Sequence, residues 1–77
     1  MKEYLRILLH KLETKGFKIT TSDDDYIVCS KPVVFGNCYI TFNLKDKKLG
    51  IENIDYICSE TLKIIMSICE YHGWFDE

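Results

Sequence analysis

Apolar residues recur every three to four positions in two stretches, one near each end of the chain. In residues 2–15 the recurring positions are Leu5, Leu8, Leu9 and Leu12. In residues 60–72 they are Leu62, Ile65, Met66 and Cys69. This spacing places each set on one face of an α-helix. The pattern therefore predicts two amphipathic helices, the second with Ser59 as its N-cap.

Both predicted helices are followed by a glycine and then an aromatic residue, Gly16-Phe17 in one case and Gly73-Trp74 in the other. Glycine readily adopts the left-handed backbone conformation that ends many helices, and an apolar residue after it packs back onto the last turn. The first helix is therefore expected to end at about Lys15, with Phe17 as an apolar clamp.

Between the helices, apolar and polar residues alternate in four short stretches. The clearest alternation covers residues 38–44, and the others cover residues 17–21, 26–30 and 49–52. A period of two is typical of strands with one buried face. Because proline donates no backbone hydrogen bond, the second strand is expected to break at Lys31-Pro32, which leaves residues 33–37 as a loop.

The predicted order of elements is α-β-β-β-β-α. Strands joined by short turns form an antiparallel meander, and both helices need a surface on which to bury their apolar faces. We therefore predict an α+β fold of two layers, with two helices packed on one face of the sheet. The 77 residues leave room for one domain, so residues 1–77 are expected to form a single α+β domain. Its core is expected to contain Leu8, Leu12, Ile40, Phe42, Leu62 and Ile65.

Charge and hydropathy restrict the compartment and the partners. The net charge of −2 is too small and of the wrong sign to hold a nucleic-acid backbone. No apolar run approaches the ~20 residues that cross a bilayer, and Lys2, Glu3 and Arg6 interrupt the N-terminal region where a signal peptide is apolar. We therefore expect a cytoplasmic protein. The absence of alanine and glutamine and the single arginine favour a low-GC genome.

The cysteines and histidines are the candidates for metal binding and nucleophilic catalysis. The thiols belong to Cys29, Cys38, Cys58 and Cys69. Cys69 and His72 have the one spacing that a zinc site uses, but Cys69 falls on an apolar face and His10 on a polar helix face. Reduced, buried thiols are the preferred interpretation, and a zinc site or a Cys29–Cys38 disulfide are the alternatives. We predict no catalytic residue, metal or cofactor.

The order of helix, antiparallel strands and helix, with Thr14-Lys15-Gly16-Phe17 closing the first helix, resembles double-stranded-RNA-binding-like folds, including ribonuclease toxins of that shape. Such toxins carry a histidine on the second strand, where this chain has Tyr26-Ile27-Val28-Cys29. RNA-binding members carry a lysine cluster at the start of the second helix, where this chain has Ser59-Glu60-Thr61-Leu62-Lys63. The resemblance therefore implies an arrangement of elements and neither activity.

Several large apolar residues lie outside the predicted helices or on the outer face of the sheet. Such residues either fold back onto a core or form an interface. We take them as the predicted partner-binding residues, which are Val33, Val34, Phe35, Tyr39, Trp74 and Phe75.

A nearly neutral chain without a catalytic motif fits a small non-enzymatic protein-binding module better than an enzyme. The predicted setting is a phage or mobile-element accessory protein that inhibits a host or defence protein, in an anti-CRISPR-like or immunity-like manner. The alternative is a nucleic-acid-associated regulator that acts as a dimer through Lys45, Lys47, Lys48 and Tyr39. A homodimer also fits the protein-binding hypothesis, because domains of this size gain stability from association.

Overall fold

The computed structural model describes residues 2–75, which form two helices and a four-stranded antiparallel sheet. The elements in chain order are α1 (Glu3–Thr14), β1 (Lys18–Ser22), β2 (Tyr26–Val33), β3 (Gly36–Asn43), β4 (Lys48–Glu52) and α2 (Ser59–Tyr71). A short 3-10 helix, Ile54–Tyr56, joins β4 to α2. The sheet order β1-β2-β3-β4 is a meander, so the predicted α+β fold is confirmed.

The two faces of the sheet differ because strand side chains alternate between them. On β3, Cys38, Ile40 and Phe42 are fully buried beneath the helices, while Tyr39 and Thr41 face the open side. The hydrophobic core lies between that inner face and the helices. Its buried members are Leu5, Leu8, Leu9, Leu12, Phe17, Ile27, Cys29, Cys38, Ile40, Phe42, Ile57, Ile65, Cys69 and Trp74.

Both helices end in the same hydrogen-bonded motif. After α1, the N–H of Phe17 donates to the Leu12 carbonyl at 3.1 Å, and Gly16 has a φ of 96°. After α2, the N–H of Trp74 donates to the Cys69 carbonyl at 2.9 Å, and the glycine before it has a φ of 78°. These bonds form a Schellman cap, and each aromatic side chain is buried in the core. The clamp predicted for Phe17 is confirmed.

The prediction that β2 breaks at Lys31-Pro32 is wrong, since β2 continues through Pro32 to Val33. Pro32 lies opposite Asn37, one residue before the pair that closes the β2–β3 hairpin. Alternation in an antiparallel ladder turns its nitrogen away from β3. On the other side, the pairing with β1 ends at Ser30. The missing N–H therefore costs no ladder hydrogen bond.

The buried face of α2 is rotated from the predicted one. Thr61, Ile65 and Cys69 are buried, Leu62 is half-buried and Met66 is exposed. Ser59 is not the N-cap but the first residue of the helix, because Cys58 has extended backbone and its carbonyl accepts the Leu62 N–H at 3.0 Å.

Within residues 2–75, no helix has the length and hydrophobicity of a membrane span.

Candidate functional site

Val34 and Phe35 form the tip of the β2–β3 hairpin, which we call the hairpin tip. Val33 pairs with Gly36, so these two residues alone make the turn. Val34 is 79% exposed and Phe35 is 89% exposed, and Phe35 is the most exposed large apolar side chain in residues 2–75. The backbone of the turn depends on Gly36, whose φ is 130°, and on neither apolar side chain.

The hairpin tip stands on a continuous two-stranded ribbon. The strands β2 and β3 pair without interruption, from the Tyr26–Asn43 pair at one end to the Val33–Gly36 pair at the other. The ribbon occupies the two central positions of the sheet. The last three pairs of the ribbon extend beyond the outer strands, because the pairing with β1 ends at Ser30 and the pairing with β4 ends at Tyr39. The prediction of a loop over residues 33–37 is wrong, since Val33 belongs to β2, Gly36 and Asn37 belong to β3, and the turn has two residues.

Val33 and Tyr39, two other predicted partner-binding residues, lie beside the hairpin tip but on opposite faces of the sheet. Val33 is half-buried and packs against the core, so it anchors the C-terminal end of β2 to the core. Tyr39 is half-buried on the open face, between Ser30 of β2 and Glu52 of β4. Tyr39 therefore remains available to a ligand of the open face, and Val33 presents little surface.

Trp74 faces the core and presents almost no surface, since its side chain is 4% exposed. Its Nε1–H donates to Tyr4 Oη at 2.9 Å, and its ring meets Phe42 edge-on at 5.9 Å between centroids. Phe75 is 40% exposed. The glycine before Trp74 was the sequence signal for this burial, because the same pattern precedes the buried Phe17.

The predicted partner-binding residues are not brought together as one surface. Trp74 lines a cavity of about 660 Å³ with Asp23 and Leu44, which belong to the β1–β2 and β3–β4 turns. Phe35 belongs to the β2–β3 turn, at the other end of the meander. The hairpin tip and the Trp74-Phe75 segment are therefore separate candidates.

A second apolar surface, which the periodicity did not indicate, lies in the groove between α1 and α2. The groove has a volume of about 390 Å³, and its lining residues are Tyr4, Ile7, Ser67, Ile68, Tyr71 and His72. The His72 ring stacks on Tyr4 with 3.7 Å between centroids, and Tyr71 is 86% exposed. Ile7 and Tyr71 lie on the faces opposite the main apolar stripes, so the helical pattern assigned them to solvent.

Three of the four thiols are core residues. Cys29, Cys38 and Cys69 are buried, and burial raises the pKa of each. Cys29 lies opposite Ile40 rather than opposite Cys38, so the two thiols do not form a directly facing pair. All four cysteines are free. In residues 2–75, no group of three or more histidine, cysteine or acidic side chains is placed to hold a metal ion.

Cys58 is expected to react with iodoacetamide much faster than the other thiols in the native protein. Its Sγ is exposed and lies 3.0 Å from Thr61 Oγ1, a hydrogen bond that lowers the pKa of the thiol. Because the thiolate is the reactive form, native protein should gain one label. Intact-mass measurement with C58S as the control checks this. Rapid labelling of C58S without denaturant would contradict the burial of the other thiols.

The lysines proposed for nucleic-acid contact do not form one basic surface with Tyr39. Lys47 Nζ donates to the carbonyl of His72 at 3.4 Å, toward the helix layer. Lys48 lies opposite Asn43, whereas Tyr39 lies opposite Glu52 at the other end of β4. Lys47 and Lys48 therefore do not lie beside Tyr39 as parts of one basic surface.

Of the candidate sites, the hairpin tip has the greatest apolar exposure, and it lies at the end of a paired two-stranded ribbon. Nothing in its geometry suggests bond-making chemistry, because its two side chains carry neither a nucleophile nor a titratable group. Exposed apolar groups of this kind, and aromatic ones above all, are typical of interface anchors. Comparison with protein-family models, with curated protein sequences and with solved structures found no match for this chain.

Proposed function

We propose that this chain is a small non-enzymatic protein-binding module that docks through its hairpin tip, Val34 and Phe35. One observation carries the proposal. Two adjacent apolar side chains, 79% and 89% exposed, lie at a turn whose conformation requires neither of them. Burying an exposed valine or phenylalanine contributes about 1.5–3 kcal/mol each, so the tip has the capacity to anchor an interface.

Charge supports a protein partner over nucleic acid. The net charge is −2, and the hairpin tip itself contains no basic residue. Binding to phosphates depends on clustered lysine and arginine side chains, whereas interface hot spots depend on aromatic anchors in apolar pockets. Phe35 fits the second description.

The biological setting that we propose is an accessory protein of a phage or mobile element that occupies a host or defence protein. Its support is composition, since a chain without alanine and with Arg6 as its single arginine fits a low-GC genome. An inhibitor that acts by occupation needs an exposed anchor and no catalytic group, and the hairpin tip offers such an anchor.

The V34S/F35S variant is expected to lose association with the partner by about 100-fold or more, because truncation at a hot spot costs about 2–4 kcal/mol. Its free energy of unfolding should stay within about 0.5 kcal/mol of the original, since both side chains are exposed. The measurements are titration against the isolated partner and urea denaturation. The partner is isolated by photo-crosslinking from position 35 in lysate of the native host.

Y71S is the matched control, because Tyr71 is equally exposed but lies in the groove between α1 and α2. It should bind the partner with unchanged affinity. Loss of binding in Y71S with full binding in V34S/F35S would show that the groove, and not the hairpin tip, is the contact. Recovery of nucleic acid instead of protein, with affinity that falls steeply as salt rises, would favour the nucleic-acid alternative.

A further inference from the structure

Strand β4 is a free edge of the sheet. Within residues 2–75 it is hydrogen-bonded only to β3, so alternate N–H and C=O groups along it point outward. The strand is regular, with five consecutive residues in register and no proline. Such an edge is a template for another strand unless it is protected.

The opposite edge is built differently. The register of β1 shifts between Ile19 and Thr21, which marks a β-bulge. A bulge interrupts the ladder and twists the edge, and it is a common protection against edge-to-edge pairing. Of the two edges, only β4 presents an uninterrupted ladder.

The sequence of β4 is complementary to itself when read antiparallel. It reads Lys48-Leu49-Gly50-Ile51-Glu52, with Gly50 at the centre. A two-fold axis at Gly50 places Lys48 of one copy opposite Glu52 of the other, and the reverse pair follows by symmetry. Both charged side chains are exposed on the open face. Opposite charges directly across two strands attract each other.

The same axis pairs apolar with apolar on the inner face. Leu49 of one copy lies opposite Ile51 of the other, and both residues are half-buried in the single chain. Pairing covers part of the surface that they expose in the single chain. The arrangement is isologous, because the same five residues serve both copies.

Gly50 has no role within the single chain that requires glycine. A Cβ at this position would meet only Thr41 Cβ, at an ordinary 3.9 Å, and Gly50 is not among the glycines with positive φ. Glycine inside a strand is less stable than alanine there, and it often marks a close approach of a second backbone. At the proposed axis Gly50 lies opposite Gly50 of the second copy, between the two Lys48–Glu52 pairs.

We propose that two copies of this chain associate by antiparallel pairing of their β4 strands about a two-fold axis at Gly50, which joins the two sheets into one. This inference goes beyond the proposed function and does not depend on it. The hairpin tip belongs to the central strands, so it stays free in the dimer. The dimer carries two hairpin tips and suits a partner with two equivalent pockets, where linked sites raise the overall affinity.

Charge reversal at either end of β4 tests the pairing. K48E places two carboxylates opposite each other at both ends of the interface, and E52K places two ammonium groups there. Each reversed pair should weaken the dimer about tenfold, so each variant should raise the dissociation constant about 100-fold. Sedimentation equilibrium over a concentration series measures this constant. K63E and E70K, which change exposed charges on α2, are the matched controls and should dimerise as the original does.

Mixing K48E with E52K is the decisive experiment. Each is expected to be monomeric alone, yet one chain presents two carboxylates where the other presents two ammonium groups, so the mixture should form a one-to-one heterodimer. The double variant K48E/E52K should dimerise alone like the original. A mixture that stays monomeric, or an original chain that is monomeric at every concentration, would overturn the proposal. Thermal unfolding confirms that each variant is folded, and none of these variants alters the hairpin tip.

Discussion

Replacing Phe42 by alanine is expected to lower the free energy of unfolding by about 3–5 kcal/mol. Phe42 is fully buried on β3, between Ile27 of β2 and Leu49 of β4, and its ring meets Trp74. The truncation removes this packing and leaves a cavity that a small core cannot fill by relaxation. Since small domains are stable by only a few kcal/mol, much of F42A should be unfolded at room temperature. Urea denaturation followed by circular dichroism measures the loss.

F35A provides the matched control for F42A, because it deletes the same side chain from the hairpin tip. Phe35 is almost fully exposed, so its removal should change the free energy of unfolding by less than about 0.5 kcal/mol. A small loss at Phe42 with a large loss at Phe35 would contradict both the burial of Phe42 and the exposure of Phe35.

Raising the pH from 9 to 11 is expected to destabilise the fold by on the order of 5 kcal/mol through Cys29 and Cys69. Burial raises the pKa of each thiol from 9.0 to about 11. Above pH 9 the unfolded chain therefore releases protons that the folded chain keeps, so ionisation favours unfolding. The stabilisation is complete below pH 9 and is lost as the pH rises to 11, at about 1.4 kcal/mol per pH unit for each thiol.

Urea denaturation at a series of pH values measures this loss, with C69A as the comparison. C69A removes one of the buried thiols with a raised pKa, so its stability should fall less steeply with pH than that of the original chain. The titration of lysines and tyrosines is common to both proteins and cancels in the difference. Equal slopes would show that the Cys69 thiol ionises as freely in the folded chain as in the unfolded one.

Local patterns determined most of the secondary structure. The leucine spacing of α1 and the alternation along β3 depend on nearby residues alone, because one periodic face is enough to define a helix or a strand. The glycines at positions 16 and 73 end their helices for an equally local reason, the left-handed backbone that a Schellman cap needs. These features, and the order of elements in the meander, could be read from the sequence.

The tertiary structure decided which side chains are covered. Pro32 stays in β2 only because β1 has already ended beside it, and nothing in the residues around Pro32 indicates where β1 stops. Met66 is exposed and Thr61 buried because the sheet meets α2 along a line rotated from its most apolar stripe. Trp74 is buried in the core, whereas Phe35, which is also a large apolar residue, is exposed at the hairpin tip.

For the β4 edge, too, the sequence predicted some features and the tertiary structure decided the others. Its alternation predicted a strand, and the complementary charges of Lys48 and Glu52 are visible in the sequence. Whether those charges lie at a free edge depends on strand order, which is set by how all four strands pair across the sheet. Local chemistry therefore determined the elements of this protein. Only the packing of those elements decided which edge, which turn and which apolar side chains are exposed, because exposure is a property of the assembled layers rather than of any single segment.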